Sequence, residues 1–171
     1  AGLLILGSGV YAGANSALNK LNIALIGVGG RANAHMTPAS KDNVVALCDV
    51  DEKQFTWPAG YFSKAKIYVD WRKCLDQKDL DAVVISTPDH THAHITNWAI
   101  NRGLHVYCEK PLANSVEEAR VVRANFLKNK DKIATQIGTQ RHAFPNFARV
   151  RELIHDGAIG ELKRVSCWGN R

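Results

Sequence analysis

The sequence predicts an α/β fold in which helices cover both faces of a doubly wound parallel sheet. Short apolar runs with the length of buried strands alternate along the chain with longer amphipathic segments. One of these runs, at residues 82–87, is mostly apolar, as a strand covered on both faces requires. A glycine-rich turn at residues 27–32 follows the first run and joins it to a helical segment. This alternation predicts right-handed crossovers and a ligand site outside the carboxyl ends of the strands.

Each element is expected from its apolar pattern and from the residues that bound it. Strands are predicted at residues 21–26, 44–48, 66–69, 82–87, 105–108 and 133–138, with a further strand beginning at 162–168. Helices are predicted at residues 31–37, 51–62, 71–75, 91–102, 115–128 and 146–155. Pro38 is expected to stop the first helix, and residues 58–60 (Pro-Ala-Gly) to interrupt the second. Gly103 is expected to end the fourth helix, and Ser115 with Glu118 forms a capping box that opens the fifth.

The glycine-rich turn fits the G-x-G-x-x-G/A fingerprint of a dinucleotide-binding Rossmann domain. Gly27 permits the tight turn, Gly29 lets a pyrophosphate approach the backbone, and Ala32 lets the helix pack closely on the strand. The helix N-terminus offers unpaired N–H groups to an anion. Asp49 ends the second strand about 20 residues later, where an acid accepts the ribose hydroxyls and repels a 2′-phosphate. The turn therefore predicts an NAD site, with NADP disfavoured; the alternative is a glycine-rich turn that binds nothing.

Length and charge limit the classes of protein to which the chain can belong. Its 171 residues suit one domain with a sizeable core, and the sequence contains no apolar run long enough to cross a bilayer. The net charge is +6, and the basic excess lies in residues 101–171. No arginine-rich run, RNA-binding aromatic motif or zinc-finger spacing accompanies that excess, so nucleic acid is not an expected partner. The basic region is expected to help bind an anionic cofactor or to face an acidic domain.

Neither the cysteines nor the clustered histidines predict a metal site. The four cysteines, Cys48, Cys74, Cys108 and Cys167, form no C-x-x-C pair and no zinc spacing, so free buried thiols are expected. His90, His92 and His94 alternate, but they follow Pro88 and enter a helix, where only His90 and His94 share a face. No carboxylate lies at the spacing of a third ligand.

Three later motifs carry a resemblance to a known family. Residues 87–92 read Thr-Pro-Asp-His-Thr-His, and residues 108–112 read Cys-Glu-Lys-Pro-Leu at the end of a predicted strand. Residues 138–141 read Gly-Thr-Gln-Arg, and Pro145 precedes the next helix. Together with the glycine-rich turn, these motifs resemble the N-terminal domain of the glucose–fructose oxidoreductase, inositol dehydrogenase and rhizopine-catabolism (Gfo/Idh/MocA) family. The resemblance covers about residues 21–171.

The resemblance implies a nicotinamide-dependent oxidoreductase that acts on a sugar, a polyol or a related carbinol. Lys110 matches the family lysine beside the nicotinamide ribose and the substrate hydroxyl, and lysines partly desolvated in clefts can share proton transfer. Glu109 is expected to orient Lys110, Arg141 to face the nicotinamide end, and His92 to be structural; no role is assigned to His35. The predicted site has one catalytic residue, Lys110, no metal, and these cofactor-binding residues: Gly27, Gly29, Gly30, Arg31, Ala32, Asp49, Thr87, Pro88, Asp89, His92, Glu109, Lys110 and Arg141.

Three segments are expected along the chain. Residues 1–20 are interpreted as a signal-peptide remnant and linker, because an apolar stretch leads to Ala12-Gly13-Ala14, which has the A-x-A pattern of a cleavage site. Residues 7–12 also spell G-x-G-x-x-A, but no acid follows at the required spacing. Export to the periplasm by a twin-arginine route is therefore expected; the alternative is a stray N-terminal arm in a cytoplasmic protein.

Residues 21–145 are predicted to form the NAD-binding domain, and residues 146–171 to begin the connection to a second α/β domain that this chain lacks. By the resemblance, that domain carries the substrate pocket and the contacts of a homo-oligomer. The fragment is therefore expected to bind NAD and to turn over little alone.

Two other functions remain open from the sequence. One is a glycoside hydrolase or lyase that oxidises and reduces its substrate transiently with bound NAD. The other is a non-catalytic NAD-binding sensor, against which Lys110 argues, because a sensor needs no group for proton transfer.

Overall fold

The computed structural model of the chain describes residues 20–166 and Trp168, apart from the side chain of Arg141. The interpretation of residues 1–14 as a signal-peptide remnant therefore lies outside the described residues, as does Cys167. The chain divides into two compact units, the first ending at Gly138 and the second beginning at Thr139.

The first unit is a six-stranded sheet in which every neighbouring pair of strands is parallel. Its strands are β1 (Asn22–Ile26), β2 (Asn43–Cys48), β3 (Lys66–Tyr68), β4 (Ala82–Ile85), β5 (His105–Glu109) and β6 (Thr135–Gly138). They lie in the order β3-β2-β1-β4-β5-β6, the doubly wound order of dinucleotide-binding folds. The predicted fold class and all six of its strands are confirmed. The strand order reverses between β1 and β4, where such sheets leave a crevice.

Helices connect the strands and cover the sheet. They are α1 (Asn33–Ala39), α2 (Pro58–Tyr61), α3 (Trp71–Leu75), α4 (His92–Asn101) and α5 (Val116–Asn129), with α6 (Pro145–His155) in the second unit. Short 3₁₀ turns occupy Gly30–Ala32, Glu52–Phe55, Asp89–Thr91 and Gln140–Ala143. The predicted capping box is present, because the Glu118 N–H donates to Ser115 Oγ over 3.1 Å and Glu118 Oε2 accepts from the Ser115 N–H.

The core lies on both faces of the sheet, which explains why the central strand β4 is apolar at every position. Alternate side chains of β1 enter different clusters: Ile23 and Leu25 join the one that contains Met36 of α1. Ala24 and Ile26 join the one that contains the buried apolar residues of α4. The sheet is therefore held between α1 on one face and α4 on the other.

Three predicted boundaries are wrong. Pro38 lies inside α1, which ends one residue later; the proline gives up only its own N–H, and its carbonyl still accepts from the Lys41 N–H. Residues 51–62 form a 3₁₀ turn and then α2, which Pro58 begins, because a fixed φ suits the first turn of a helix. Residues 162–166 and 168 form no strand, since a strand requires a paired neighbour and no described strand pairs with them.

The expected thiols are found where the structure describes them. Cys48, Cys74 and Cys108 are free and buried. Hydrogen bonding with the Cys74 thiol, together with burial, places the pKa of the Cys48 thiol well above its ordinary value. Burial raises the pKa of Cys108 to about 11. The Cys48 and Cys108 thiols therefore stay protonated at neutral pH, and all three buried cysteines pack as small apolar side chains.

Candidate nucleotide-binding cleft

A cleft of about 570 Å³ opens where the strand order reverses. It lies at the carboxyl ends of β1, β2 and β4, the edge at which the sequence predicts a ligand site. Seven predicted cofactor-binding residues line it: Gly27, Gly29, Gly30, Arg31, Asp49, Thr87 and Pro88. Its lining also includes residues that were not predicted, among them Gln54, Trp71, Ser86 and Thr91.

Gly27 makes the turn that forms the floor of this cleft. Its φ is +78°, and a Cβ there would lie 2.7 Å from the backbone carbon of Ser86 and the backbone nitrogen of Thr87. Its N–H donates to the Cys48 carbonyl over 2.8 Å. The end of β1 thus contacts the ends of both neighbouring strands, and only a residue without a side chain fits between them.

Gly29 meets a side chain that sequence reasoning missed. A Cβ at Gly29 would overlap the Oε1 atom of Gln54, so the Gln54 amide lies over the backbone that a pyrophosphate would approach. Gln54 Nε2 donates to Asp51 Oδ2 over 2.9 Å. Because Gln54 is exposed and flexible at its end, a bound phosphate can displace it or accept a hydrogen bond from its amide. Nothing in the local sequence distinguishes Gln54 from an ordinary surface glutamine.

Asp49 is held against the glycine-rich turn. Its Oδ2 accepts the Val28 N–H over 2.9 Å, and its Oδ1 accepts the Asp51 N–H over 3.0 Å. The carboxylate is half-buried at the end of β2 and faces the cleft. These bonds fix its orientation and leave further lone pairs for the hydroxyls of a ribose.

The segment after β4 is tied to the turn after β5 by one histidine. His92 is 1% exposed; its Nδ1 lies 2.6 Å from the Pro111 carbonyl and its Nε2 lies 2.8 Å from the Thr87 carbonyl. A neutral ring donates to one of these carbonyls, and a doubly protonated ring donates to both. Asp89 is exposed, and neither it nor His92 lines the cleft.

The end of β5 carries a buried carboxylate. Glu109 is 3% exposed, and its Oε1 accepts from Arg31 Nε over 2.9 Å and contacts His35 Nε2 at 2.8 Å. A Cβ added to Gly138, at the end of β6, would lie 2.8 Å from the carboxyl carbon of Glu109. The carboxylate therefore fills the space between the two strand ends and α1.

The partners of Glu109 differ from the expected one. The sequence suggested that it orients Lys110, but its side chain lies on the same face as Tyr107, two residues earlier, toward α1. Lys110 follows the strand and is exposed, and the Lys110–Pro111 bond is cis. Arg31 and His35 hold the carboxylate instead.

His35, to which no role was assigned, belongs to this buried group. Burial lowers its pKa from the ordinary value of 6.5; the Glu109 carboxylate opposes this shift, and Arg31 adds to it. The Tyr107 ring meets the imidazole edge-on, with ring centroids 5.0 Å apart. Because the two contacting residues lie some 70 positions further along the chain, no local pattern could have indicated them.

Ala32 and Arg141 are the last two of the predicted cofactor-binding residues. Ala32 is buried in the core between α1 and the sheet, where its small side chain allows close packing. Arg141 belongs to the second unit, in the turn Gln140–Ala143, and its relation to the cleft stays a prediction. Within the described residues, no group of three or more His, Cys, Asp or Glu side chains could hold a metal ion, and no helix could span a membrane.

The arrangement along the sheet edge fits an extended dinucleotide. The acid Asp49 follows β2, the glycine-rich turn follows β1, and Lys110 follows β5. From β2 to β5 the edge crosses three strand spacings, or about 14 Å. One end thus offers a ribose acceptor, the middle offers backbone N–H groups, and the far end offers an ammonium group.

Comparison with known proteins gives a family match and several relatives. Residues 21–137 match the profile of an oxidoreductase family with an NAD-binding Rossmann fold. The chain is 31% identical over 153 residues to inositol 2-dehydrogenase 4 of Saccharopolyspora erythraea, covering 86% of this chain and 45% of that protein. It is 29% identical over 166 residues to levoglucosan dehydrogenase of Pseudarthrobacter phenanthrenivorans, covering 85% and 40%.

A solved structure shows the same likeness. The myo-inositol 2-dehydrogenase of Lactobacillus plantarum superposes with a TM-score of 0.74 at 26% identity, covering 84% of this chain and 43% of that one. The chain therefore spans less than half the length of the relatives that it matches.

Proposed function

Because the chain belongs to the Gfo/Idh/MocA family of oxidoreductases, with an NAD-binding Rossmann fold, we propose that it is the cofactor-binding part of a sugar or polyol dehydrogenase. The reaction is the transfer of a hydride between nicotinamide and a carbinol carbon. Relatives named for inositol and for levoglucosan support a polyhydroxylated substrate. The observation that carries the proposal is the Asp49 carboxylate, hydrogen-bonded to the turn at Val28 and facing the cleft.

Each part of the edge has a role in holding the cofactor. Asp49 accepts the hydroxyls of the adenosine ribose, which an additional 2′-phosphate would prevent. The turn around Gly29 receives the pyrophosphate once the Gln54 amide has moved aside. Thr87 and Pro88 line the cleft beyond the turn, on the way to the end of β5.

The chemistry divides between cofactor and chain. Bound NAD supplies the carbon that accepts or returns the hydride. Lys110 Nζ holds or moves the proton on the substrate oxygen, which prevents the build-up of charge there as the hydride leaves. Glu109, Arg31 and His35 hold the strand end from which Lys110 projects. The described residues leave Lys110 exposed, so the cover that excludes water from it comes from cofactor, substrate or further protein.

The ribose assignment is tested by cofactor titration of the full-length protein. Asp49→Ala should weaken NAD binding by about 10- to 100-fold, the loss expected for one or two charge-assisted hydrogen bonds. Binding of NADP should change much less. Asp81→Ala is the matched control. Asp81 also accepts a backbone N–H, from Asn22, but it lies at the amino ends of the strands, away from the cleft. Equal losses for NAD and NADP would contradict the assignment.

The proton-transfer role is tested by turnover of the full-length protein on a panel of inositols and anhydrosugars. Lys110→Ala should lower the rate strongly while NAD still binds. Lys132→Ala, an exposed lysine that precedes β6 at the opposite edge, is the control. A near-normal rate in Lys110→Ala would refute the role, and glycoside cleavage without net NADH formation would favour the hydrolase alternative.

The proposal extends to location and assembly. The protein is exported with removal of its leader, and it forms a homo-oligomer through the domain that carries the substrate pocket. Mass spectrometry of the mature N-terminus checks the first statement, since an intact Ala12-Gly13-Ala14 segment would contradict it. Light scattering of the full-length protein checks the second.

A further inference from the structure

The buried carboxylate of Glu109 has two side-chain partners on one oxygen, an arrangement that strand packing alone does not require. Its oxygen Oε1 is hydrogen-bonded to two side-chain nitrogens, Arg31 Nε at 2.9 Å and His35 Nε2 at 2.8 Å. Arg31 lies in the glycine-rich turn and His35 lies in α1, whereas Glu109 ends β5. A carboxylate that is 3% exposed needs such donors, because a buried unpaired charge is costly.

The two donors are not equivalent. The Arg31 side chain is 44% exposed and lines the cleft, whereas the His35 side chain is 14% exposed and lies behind it, against Tyr107. An anion in the cleft can therefore compete for the guanidinium of Arg31, but it cannot reach the imidazole. When the cleft is filled, His35 is the donor that remains committed to Glu109.

We infer that His35 is a positioning residue: through Glu109 it fixes the turn at residues 110–111, and thereby the nicotinamide end of the site, relative to α1 and the glycine-rich turn that precedes it. His35 does not line the cleft, so it acts on the cofactor only through Glu109. Its effect reaches the cleft because Glu109 directly precedes Lys110 in the chain. The carboxylate also has little freedom to relax, since the backbone of Gly138 lies against it.

This inference rests on the proposed placement of NAD, and it makes a selective prediction. NAD reaches the end of β5, whereas AMP reaches only Asp49 and the glycine-rich turn. Loss of the His35 donor should therefore weaken NAD and spare AMP. A merely structural role for His35 would lower thermal stability and weaken both ligands alike.

The test uses the full-length protein, with calorimetric titration of NAD and of AMP. His35→Phe keeps a ring against Tyr107 and removes the donor; it should weaken NAD about tenfold, the loss of one hydrogen bond to a charged group, and change AMP less than twofold. His35→Gln, whose amide can donate near the position of Nε2, should restore most of the NAD affinity. His94→Phe, at a side chain that is 65% exposed, should change neither ligand.

A second variant acts on the same carboxylate from the other side. Gly138→Ala places a Cβ against Glu109 without removing any donor, and it should reproduce the selective loss of NAD affinity. This variant keeps the inference testable even where His35→Phe does not fold. Unchanged NAD affinity in these variants, equal losses for NAD and AMP, or a failure of His35→Gln to restore binding would each overturn the inference. A wild-type protein that binds no NAD would instead refute the proposed function.

Discussion

Replacement of Gly27 by alanine should destabilise the domain, by an amount that follows from its geometry. At φ +78° an alanine pays about 1–2 kcal/mol for the left-handed conformation. Its Cβ would also lie 2.7 Å from the backbone of Ser86 and Thr87, which cannot rotate away, so that one strand end must shift. Overpacking of this kind costs about 1–3 kcal/mol, which gives a total loss of about 2–5 kcal/mol from a stability that is typically about 5–15 kcal/mol.

The assay is equilibrium unfolding in urea, followed by circular dichroism, with thermal unfolding as a second measurement. Gly27→Ala should lower the midpoint temperature by roughly 5–15 °C for a chain of this size. Gly60→Ala is the control, because Gly60 lies in α2 with ordinary φ and nothing within 4 Å of an added Cβ. It should stabilise by up to about 1 kcal/mol, as glycine is unfavourable inside helices. Similar effects from both substitutions, or a loss below about 0.5 kcal/mol for Gly27→Ala, would refute the reasoning.

Three further predictions concern other parts of the first unit. Gly29→Ala should leave the urea midpoint nearly unchanged, because its Cβ meets only the flexible end of Gln54. It should weaken NAD binding at least tenfold by calorimetry, since the pyrophosphate approaches there. An unchanged affinity would contradict the proposed site. Burial lowers the pKa of His35, so the unfolded chain binds a proton at this residue before the folded chain does as the pH falls below 6.5. The free energy of unfolding should therefore decrease as the pH falls through that window. His35→Gln should reduce the pH slope of the urea midpoint, and an identical slope in the variant would contradict the pKa shift. Ser115→Ala should lower the free energy of unfolding in urea by about 1 kcal/mol, because it removes the cap of α5, whereas Ser115→Thr should retain most of the stability that the cap contributes.

The sheet could be predicted from the sequence because its central strands are buried on both faces. Ala82–Ile85 has no polar position, and such a run has few alternatives in a chain of alternating elements. The Gly27 turn could also be predicted, because a positive φ and a close backbone approach require glycine at that position. Prolines were less informative, since the effect of Pro38 or Pro58 depends on its distance from the helix start, which the sequence does not mark.

The part of the site that could not be predicted depends on contacts between distant segments. Glu109 was assigned to Lys110 because the two are neighbours in sequence, but strand geometry directs Glu109 toward α1. His35 carries no local signal, as a histidine in a short polar helix fits the surface equally well. Gln54 becomes part of the cleft only because the 3₁₀ turn after β2 folds back over Gly29.

The two links at the end of β5 also differ in when they can form during folding. His92 joins the carbonyls of Thr87 and Pro111 across separations of 5 and 19 residues, whereas Glu109 reaches Arg31 across 78. The longer closure costs about 1 kcal/mol more in chain entropy and requires β1 to be docked beside β4. Substitution of His92 should therefore slow folding, and loss of the Glu109 contacts should mainly accelerate unfolding. In kinetic terms, the edge that would receive the nicotinamide is assembled locally first and joined to the glycine-rich turn last.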